Sequence, residues 1–171
     1  ELKTELSFDE GKNGVSLEIE EANAFSVIKD NAKAKIYYTK TNEIFLGIRY
    51  LIQDNSDIKK ELSAKISNMS LMCDCSRGSV MSIDSVKRMI RLLAICGFHS
   101  LMLYTEDTYE VEGEPYFGYM RGRYSEEDMR ELDAYATSIG VEMQSIPRFK
   151  SSLTCEAIAR ASLSVDNSLL L

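Results

Sequence analysis

Met69-Ser70-Leu71-Met72-Cys73-Asp74-Cys75, Phe98-His99-Ser100-Leu101-Met102-Leu103-Tyr104-Thr105 and Val141-Glu142-Met143 are short, mostly apolar runs separated by two stretches of helical rhythm. Runs of this kind read as strands buried on both faces. After the first, Ser82 stands where a helix cap belongs, Val86, Met89, Ile90 and Leu93 form an apolar stripe, and Gly97 takes the position just past the helix end. After the second, Ser125-Glu126-Glu127-Asp128 has the pattern of a capping box with Asp in the usual Glu place. Met129, Leu132, Ala136 and Ile139 then recur along one face, and Gly140 closes the helix. Strand–helix–strand–helix–strand order implies parallel pairing through crossover helices. The expectation is strands near 69–75, 98–105 and 141–146, parallel and adjacent, with helices near 84–96 and 126–139. Doubly wound sheets and (β/α)8 barrels both use such units, and in both, function sits at the C-terminal strand ends.

Upstream the rhythm is that of a small α+β unit. Gly11-Lys12-Asn13-Gly14 is turn chemistry, and Val15, Leu17 and Ile19 alternate with polar residues as in a half-buried strand. Ala34–Thr39 is rich in β-formers. Asn42–Asp54 reads as a helix with Phe45, Ile48, Leu51 and Ile52 on one face. The polar segment Asp57–Asn68 reads as a connector or an edge strand. Residues 1–66 are thus expected to form a small α+β domain, 67–146 a βαβαβ unit, and 147–171 a divergent tail in which Glu156–Leu163 has the makings of a short helix.

The 171 residues are 44% hydrophobic and 27% charged, an ordinary globular balance. A net charge of −7 repels phosphate backbones and argues against nucleic-acid binding. No apolar run reaches the roughly 18 residues of a membrane span, and the charged start Glu1-Leu2-Lys3-Thr4-Glu5 has no apolar segment after it. These features point to a cytoplasmic protein without a membrane partner. Cys73, Cys75, Cys96 and Cys155 form no C-x-x-C pair and there is a single histidine, so neither a zinc site nor a cofactor is expected. The thiols read as reduced and mostly buried.

Candidate chemistry gathers at the expected strand ends. In Asp74-Cys75-Ser76-Arg77-Gly78, Arg77 offers a fixed fork of donors to vicinal hydroxyls or a carboxylate. The simpler alternative is an Asp74–Arg77 ion pair closing a turn. Glu106 and Asp107 are adjacent carboxylates, suited to acid or support work, or else a solvated pair. In the long loop from Glu106 to Tyr124, Tyr119 could stack on a sugar ring and Arg121 and Arg123 could close a site, or the loop could simply be packed by its own aromatics. His99 shows no nearby partner and reads as a surface or packing residue.

Three blocks carry a resemblance. Leu71–Met81 (LMCDCSRGSVM), Ser100–Glu110 (SLMLYTEDTYE) and Tyr116–Ser125 (YFGYMRGRYS) resemble the opening barrel segments of family 20 glycoside hydrolases, the β-N-acetylhexosaminidases, nearest to the bacterial branch without a secretion signal. The stretch before them resembles the small non-catalytic domain that precedes that barrel. The resemblance implies a (β/α)8 barrel and retaining, substrate-assisted hydrolysis of terminal N-acetyl-hexosamine residues, in which the acetamido oxygen attacks the anomeric carbon. It implies that Arg77, with Asp74 beside it, binds sugar hydroxyls, and that Glu106 or Asp107 supports the catalytic acid through a histidine on the third strand. After Gly140-Val141-Glu142-Met143 the pattern breaks: Gln144-Ser145-Ile146-Pro147-Arg148-Phe149-Lys150 holds no histidine, and nothing later matches the family's catalytic Asp-Glu pair. The chain therefore reads as the first units of a truncated barrel, expected to be inactive alone and to self-associate through an open sheet edge. A carbohydrate- or protein-binding module without catalysis is the alternative, and a compact βαβ protein of other activity the third.

Overall fold

A computed structural model describes residues 14–53, 57–62, 66 and 68–146. The expected helix at Glu156–Leu163, the tail as a whole and Cys155 lie outside the described residues.

The first sheet contains β1 (Ser16–Glu21), β2 (Phe25–Asp30), β3 (Lys33–Tyr38) and β4 (Ile58–Leu62), in the order β1-β3-β2-β4. β2 escaped the sequence reading, although Phe25, Val27 and Lys29 alternate and all turn inward. It pairs antiparallel with β3 through a tight turn in which Asn31 takes a positive φ of 51°, tolerated by its short polar side chain. The segment after Asp57 is an edge strand, one of the two expected outcomes. β1 pairs parallel with β3 at the other edge. Its expected half-burial is corrected: all six residues are exposed, Leu17 and Ile19 at 40% and 46%. The pairing sets Leu17 beside Ala34 and Ile19 beside Ile36 on the covered face, but the helix above packs on β2 and β3 and stops short of β1.

That helix, α1 (Thr41–Gln53), joins the two halves. Leu46, Ile48, Tyr50 and Leu51 pack on Phe25, Val27 and Ile36 of the first sheet. Phe45 packs in the second core instead, and Ile52 is exposed, so the single stripe expected from spacing is two contact faces of a bridging helix. Asn42 at its start is buried and donates from Nδ2 to the Phe98 carbonyl at 2.9 Å.

The second sheet is β5 (Ser70–Asp74), β6 (Ser100–Tyr104) and β7 (Glu142–Ile146), all parallel, in sequential order. The crossovers are α2 (Ile83–Ile95) and α3 (Glu126–Ile139). Their caps are the expected ones: Ser82 accepts from the Ser85 amide, and Ser125 and Asp128 exchange backbone-to-side-chain bonds of 3.1 and 2.8 Å. Leu101 and Leu103 of β6 are fully buried with Val86, Ile90, Leu132 and Ala136 of the helices. Each such side chain contributes roughly 1.5–3 kcal/mol on leaving water. Because strand side chains alternate, the register puts Met72, Met102 and Gln144, and likewise Asp74 and Tyr104, on the opposite face. Among the described residues no helix covers that face, and Met72 is 61% exposed on it. The runs read as strands buried on both faces, and this is corrected: the second face is uncovered among the described residues and mixed, because Ser70, Ser100 and Glu142 share it with the methionines. Among the described residues no helix is long and apolar enough to cross a membrane.

Candidate functional site

The parallel register brings the candidate residues to one edge. Asp74 ends β5 directly beside Tyr104, which ends β6, and the Cys75 amide donates to the Tyr104 carbonyl at 2.9 Å. The turn after β5 is built by Asp74. Its Oδ1 accepts from the Ser76 hydroxyl at 2.6 Å and the Ser76 amide at 2.8 Å. Those bonds, hydroxyl first, hold its pKa below the usual carboxylate range. The other oxygen lies 3.6 Å from Arg77 Nε, so the turn-closing ion pair considered from the sequence is present. Between groups this exposed such a pair is worth little. The Arg77 side chain remains 74% exposed.

At the end of β6, Glu106 takes a positive φ of 48°, an uncommon conformation for a residue with a side chain. Its Oε1 accepts from the Tyr104 hydroxyl at 3.0 Å. Tyr104 thus stands between the acids of the two strand ends, on the open face. The sequence reading placed it at a functional strand end without assigning it a role, although its alternation with Met102 was the available signal for the face it takes. Asp107 pairs with Arg121 at 3.4 Å.

The loop is fastened by its own arginines. Arg123 donates to the Phe117 carbonyl at 2.8 Å and lies 3.9 Å from Glu110. Tyr109 and Phe117 meet edge to face at a centroid distance of 5.3 Å. Tyr124 is buried and donates to the Met81 carbonyl at 2.8 Å, tying the loop's end to the segment after β5. Tyr116 and Tyr119 form a second edge-to-face pair at 6.2 Å, but at 82% and 66% exposure. Both readings of the loop therefore have their residues: one aromatic pair packs it and the other faces solvent.

His99 has a partner after all. Its Nδ1 accepts from the Met69 amide at 3.1 Å, and its own amide donates to the Met69 carbonyl at 2.8 Å, so it sets where β5 begins against β6. Burial lowers its pKa below 6.5, Lys40 lowers it further and Glu43 opposes. Accepting at Nδ1 also requires the neutral ring. The unfolded chain then binds this proton at higher pH than the folded one. Stability from this group is full above the ordinary imidazole range and is lost as pH falls through it. The urea midpoint should drop between pH 7 and pH 5, and His99→Asn, which keeps an acceptor and cannot titrate, should flatten that part of the curve. An unchanged profile in the variant would assign the drop to other groups.

The fold has known counterparts. An exo-β-N-acetylglucosaminidase of family 20 from Vibrio harveyi, solved with N-acetylglucosamine, matches at TM-score 0.65 and 17% identity over 86% of this chain and 29% of its own. The family 20 β-N-acetylhexosaminidase of Streptomyces coelicolor A3(2) matches at 0.58 and 20% identity, over 79% of this chain and 34% of its own. A β-N-acetylhexosaminidase from Bacteroides fragilis gives 0.63 and 14%, over 86% and 36%. No family model matches the chain, and no curated protein does. The chain spans about a third of the length of these structures, and its mixed α/β fold is similar to part of these family 20 β-N-acetylhexosaminidases.

Proposed function

We propose that this chain supplies the small α+β domain, over about 1–66, and the first three strands of a (β/α)8 barrel, over about 67–146, of a β-N-acetylhexosaminidase, a glycoside hydrolase. The observation that carries the reading is the shared edge: Asp74 ends one strand and Tyr104 its parallel neighbour, the register sets these two side by side, and Arg77 follows on the one turn and Glu106 and Asp107 on the other. In a barrel that edge is the mouth. The fold likeness to family 20 enzymes, one of them solved with N-acetylglucosamine, supports a terminal N-acetyl-hexosamine as ligand.

Each residue then has a task. Arg77 extends from a turn held rigid by Asp74 and Ser76, and directs its donors at sugar hydroxyls. Glu106, held by Tyr104, is the better placed of the two acids to support a proton donor, because Asp107 is engaged by Arg121. In substrate-assisted hydrolysis the acetamido oxygen displaces the leaving group while an acid protonates the departing oxygen and an Asp orients the amide. No residue of this chain matches that acid or that Asp, so hydrolysis falls to chain segments other than those matched here. A binding module without catalysis is the second reading, favoured by the exposed Tyr116–Tyr119 pair.

Arg77 alone, without pocket walls, should hold N-acetylglucosamine no tighter than about millimolar, near −4 kcal/mol. Saturation-transfer NMR with the free sugar should show contact that Arg77→Ala abolishes and Arg130→Ala, on an exposed helix face, does not. Equal transfer to the Arg77→Ala variant would remove Arg77 from the reading.

A further inference from the structure

β1 is an open sheet edge. It ends the first sheet beyond β3, and no strand lies beyond it among the described residues. Val15, Leu17 and Ile19 alternate along it and are exposed, and Leu17 and Ile19 continue the buried strip of Ala34 and Ile36. Edge strands are usually guarded by Lys, Pro or a bulge against pairing with another chain. β4, at the other edge, has Lys59 and Lys60. β1 has neither Lys nor Pro, and two of its acids, Glu18 and Glu20, lie 3.2 and 3.1 Å from Lys35 of β3.

The ladder fixes which backbone groups are free. The Ser16 amide donates to the Ala32 carbonyl and the Ala22 amide to the Tyr38 carbonyl, both at 2.8 Å, so the even-numbered residues of β1 bond toward β3. The amides and carbonyls of Val15, Leu17 and Ile19 therefore point out of the sheet edge. A second β1, run antiparallel about a two-fold axis at Leu17, sets Leu17 opposite Leu17 and Val15 opposite Ile19, as hydrogen-bonded pairs of apolar residues. On the other face it sets Ser16 opposite Glu18. Moving the axis to Glu18 or Ile19 brings Glu18 against Glu18 or against Glu20, where like charges repel. The strand is thus self-complementary in the register that pairs all three apolar residues. Because Lys35 already partners Glu18 and Glu20, a second copy fits this edge better than a basic peptide does.

We propose that two copies of this chain join their first sheets through β1, antiparallel about a two-fold axis at Leu17, independent of the sugar reading. The same patch serves both copies, so the contact closes on itself and uses up both free edges. One strand pair is a small interface, and the dimer is reversible and concentration-dependent.

The test is sedimentation equilibrium on the full, reduced chain over about two decades of concentration, with amide exchange followed by NMR. The parent should pass from monomer to dimer. The Leu17 and Ile19 amides should exchange more slowly as the dimer fills, while those of Ser16 and Glu18, bonded within the monomer, should change far less. Leu17→Lys places like charges across the axis and should weaken dimerisation about tenfold or more. Its melting curve at low concentration should stay near the parent's, because the side chain it replaces is exposed. Met72→Lys, on the uncovered face of the second sheet, should leave the dimer intact. A parent that stays monomeric throughout, its edge left open or closed from within the chain, overturns the proposal. So does undiminished association of the Leu17→Lys chain, or association lost in a folded Met72→Lys chain.

Discussion

Gly140→Ala should destabilise the chain by about 3 kcal/mol, which for a chain of this size lowers the melting temperature by roughly 10 °C. Two costs add. Gly140 caps α3 at φ 76°, where a side chain costs about 1–2 kcal/mol. A methyl there would also meet the Asn42 backbone nitrogen and Thr41 Cβ, each at 2.6 Å. Backbone cannot rotate aside, so α1 must withdraw from α3, an overpacking cost of about 1–3 kcal/mol. Gly113→Ala separates the two: its φ is 82° with nothing within 4 Å of the added carbon, so it carries the conformational cost alone. Equal melting points for the two variants would show that α1 does not rest on the end of α3.

Gly118→Ala should unseat the loop between β6 and α3. At φ 61° the added carbon would lie 2.0 Å from the Asp107 carbonyl oxygen and 3.0 Å from Arg123 Cδ. An overlap that deep with backbone cannot be relieved by a rotamer. The segment holding Arg121 on Asp107 and Arg123 on Phe117 has to open, at a cost of about 2–4 kcal/mol, the range of severe packing and backbone errors. Trypsin cleavage after Arg121 and Arg123 follows the open population and should speed up at least tenfold, and by more than in the Gly113→Ala chain, which bears the conformational cost without the overlap. Cleavage at the parental rate would mean that the loop's seat on Asp107 is not what orders it.

Elements whose packing follows their own periodicity were legible in the sequence. α2 and α3 begin and end at their caps, and β5, β6 and β7 fall within a residue or two of the expected runs, because one strong core dictates both. What escaped depends on partners distant in the chain. Leu17 and Ile19 carry the alternation of a buried face, but burial needs a covering element, which periodicity cannot report. Phe45 and Ile52 share a helical face by spacing and part company in the fold, since α1 answers to two cores. At the candidate edge, Arg77, Glu106 and Asp107 were found from strand-end logic. The Asp74–Arg77 pair was also within reach of spacing, but that Asp74 caps Ser76 as well, that Asp107 faces Arg121 and that Tyr104 reaches Glu106 are side-chain choices that no spacing rule encodes.

The central proposal is that this chain presents a hexosaminidase-type sugar edge and that the groups that do the chemistry lie elsewhere. General acid help alone is worth about 10²–10⁴-fold in rate, and the orienting Asp adds to it. The most direct measurement is an assay of the purified 171-residue polypeptide with a chromogenic aryl N-acetyl-β-glucosaminide, beside its Arg77→Ala and Glu106→Gln variants. The account predicts no release of the chromophore above buffer in any of the three. Turnover by the parent that disappears in both variants would contradict it, and would show that these residues complete an active site within this chain.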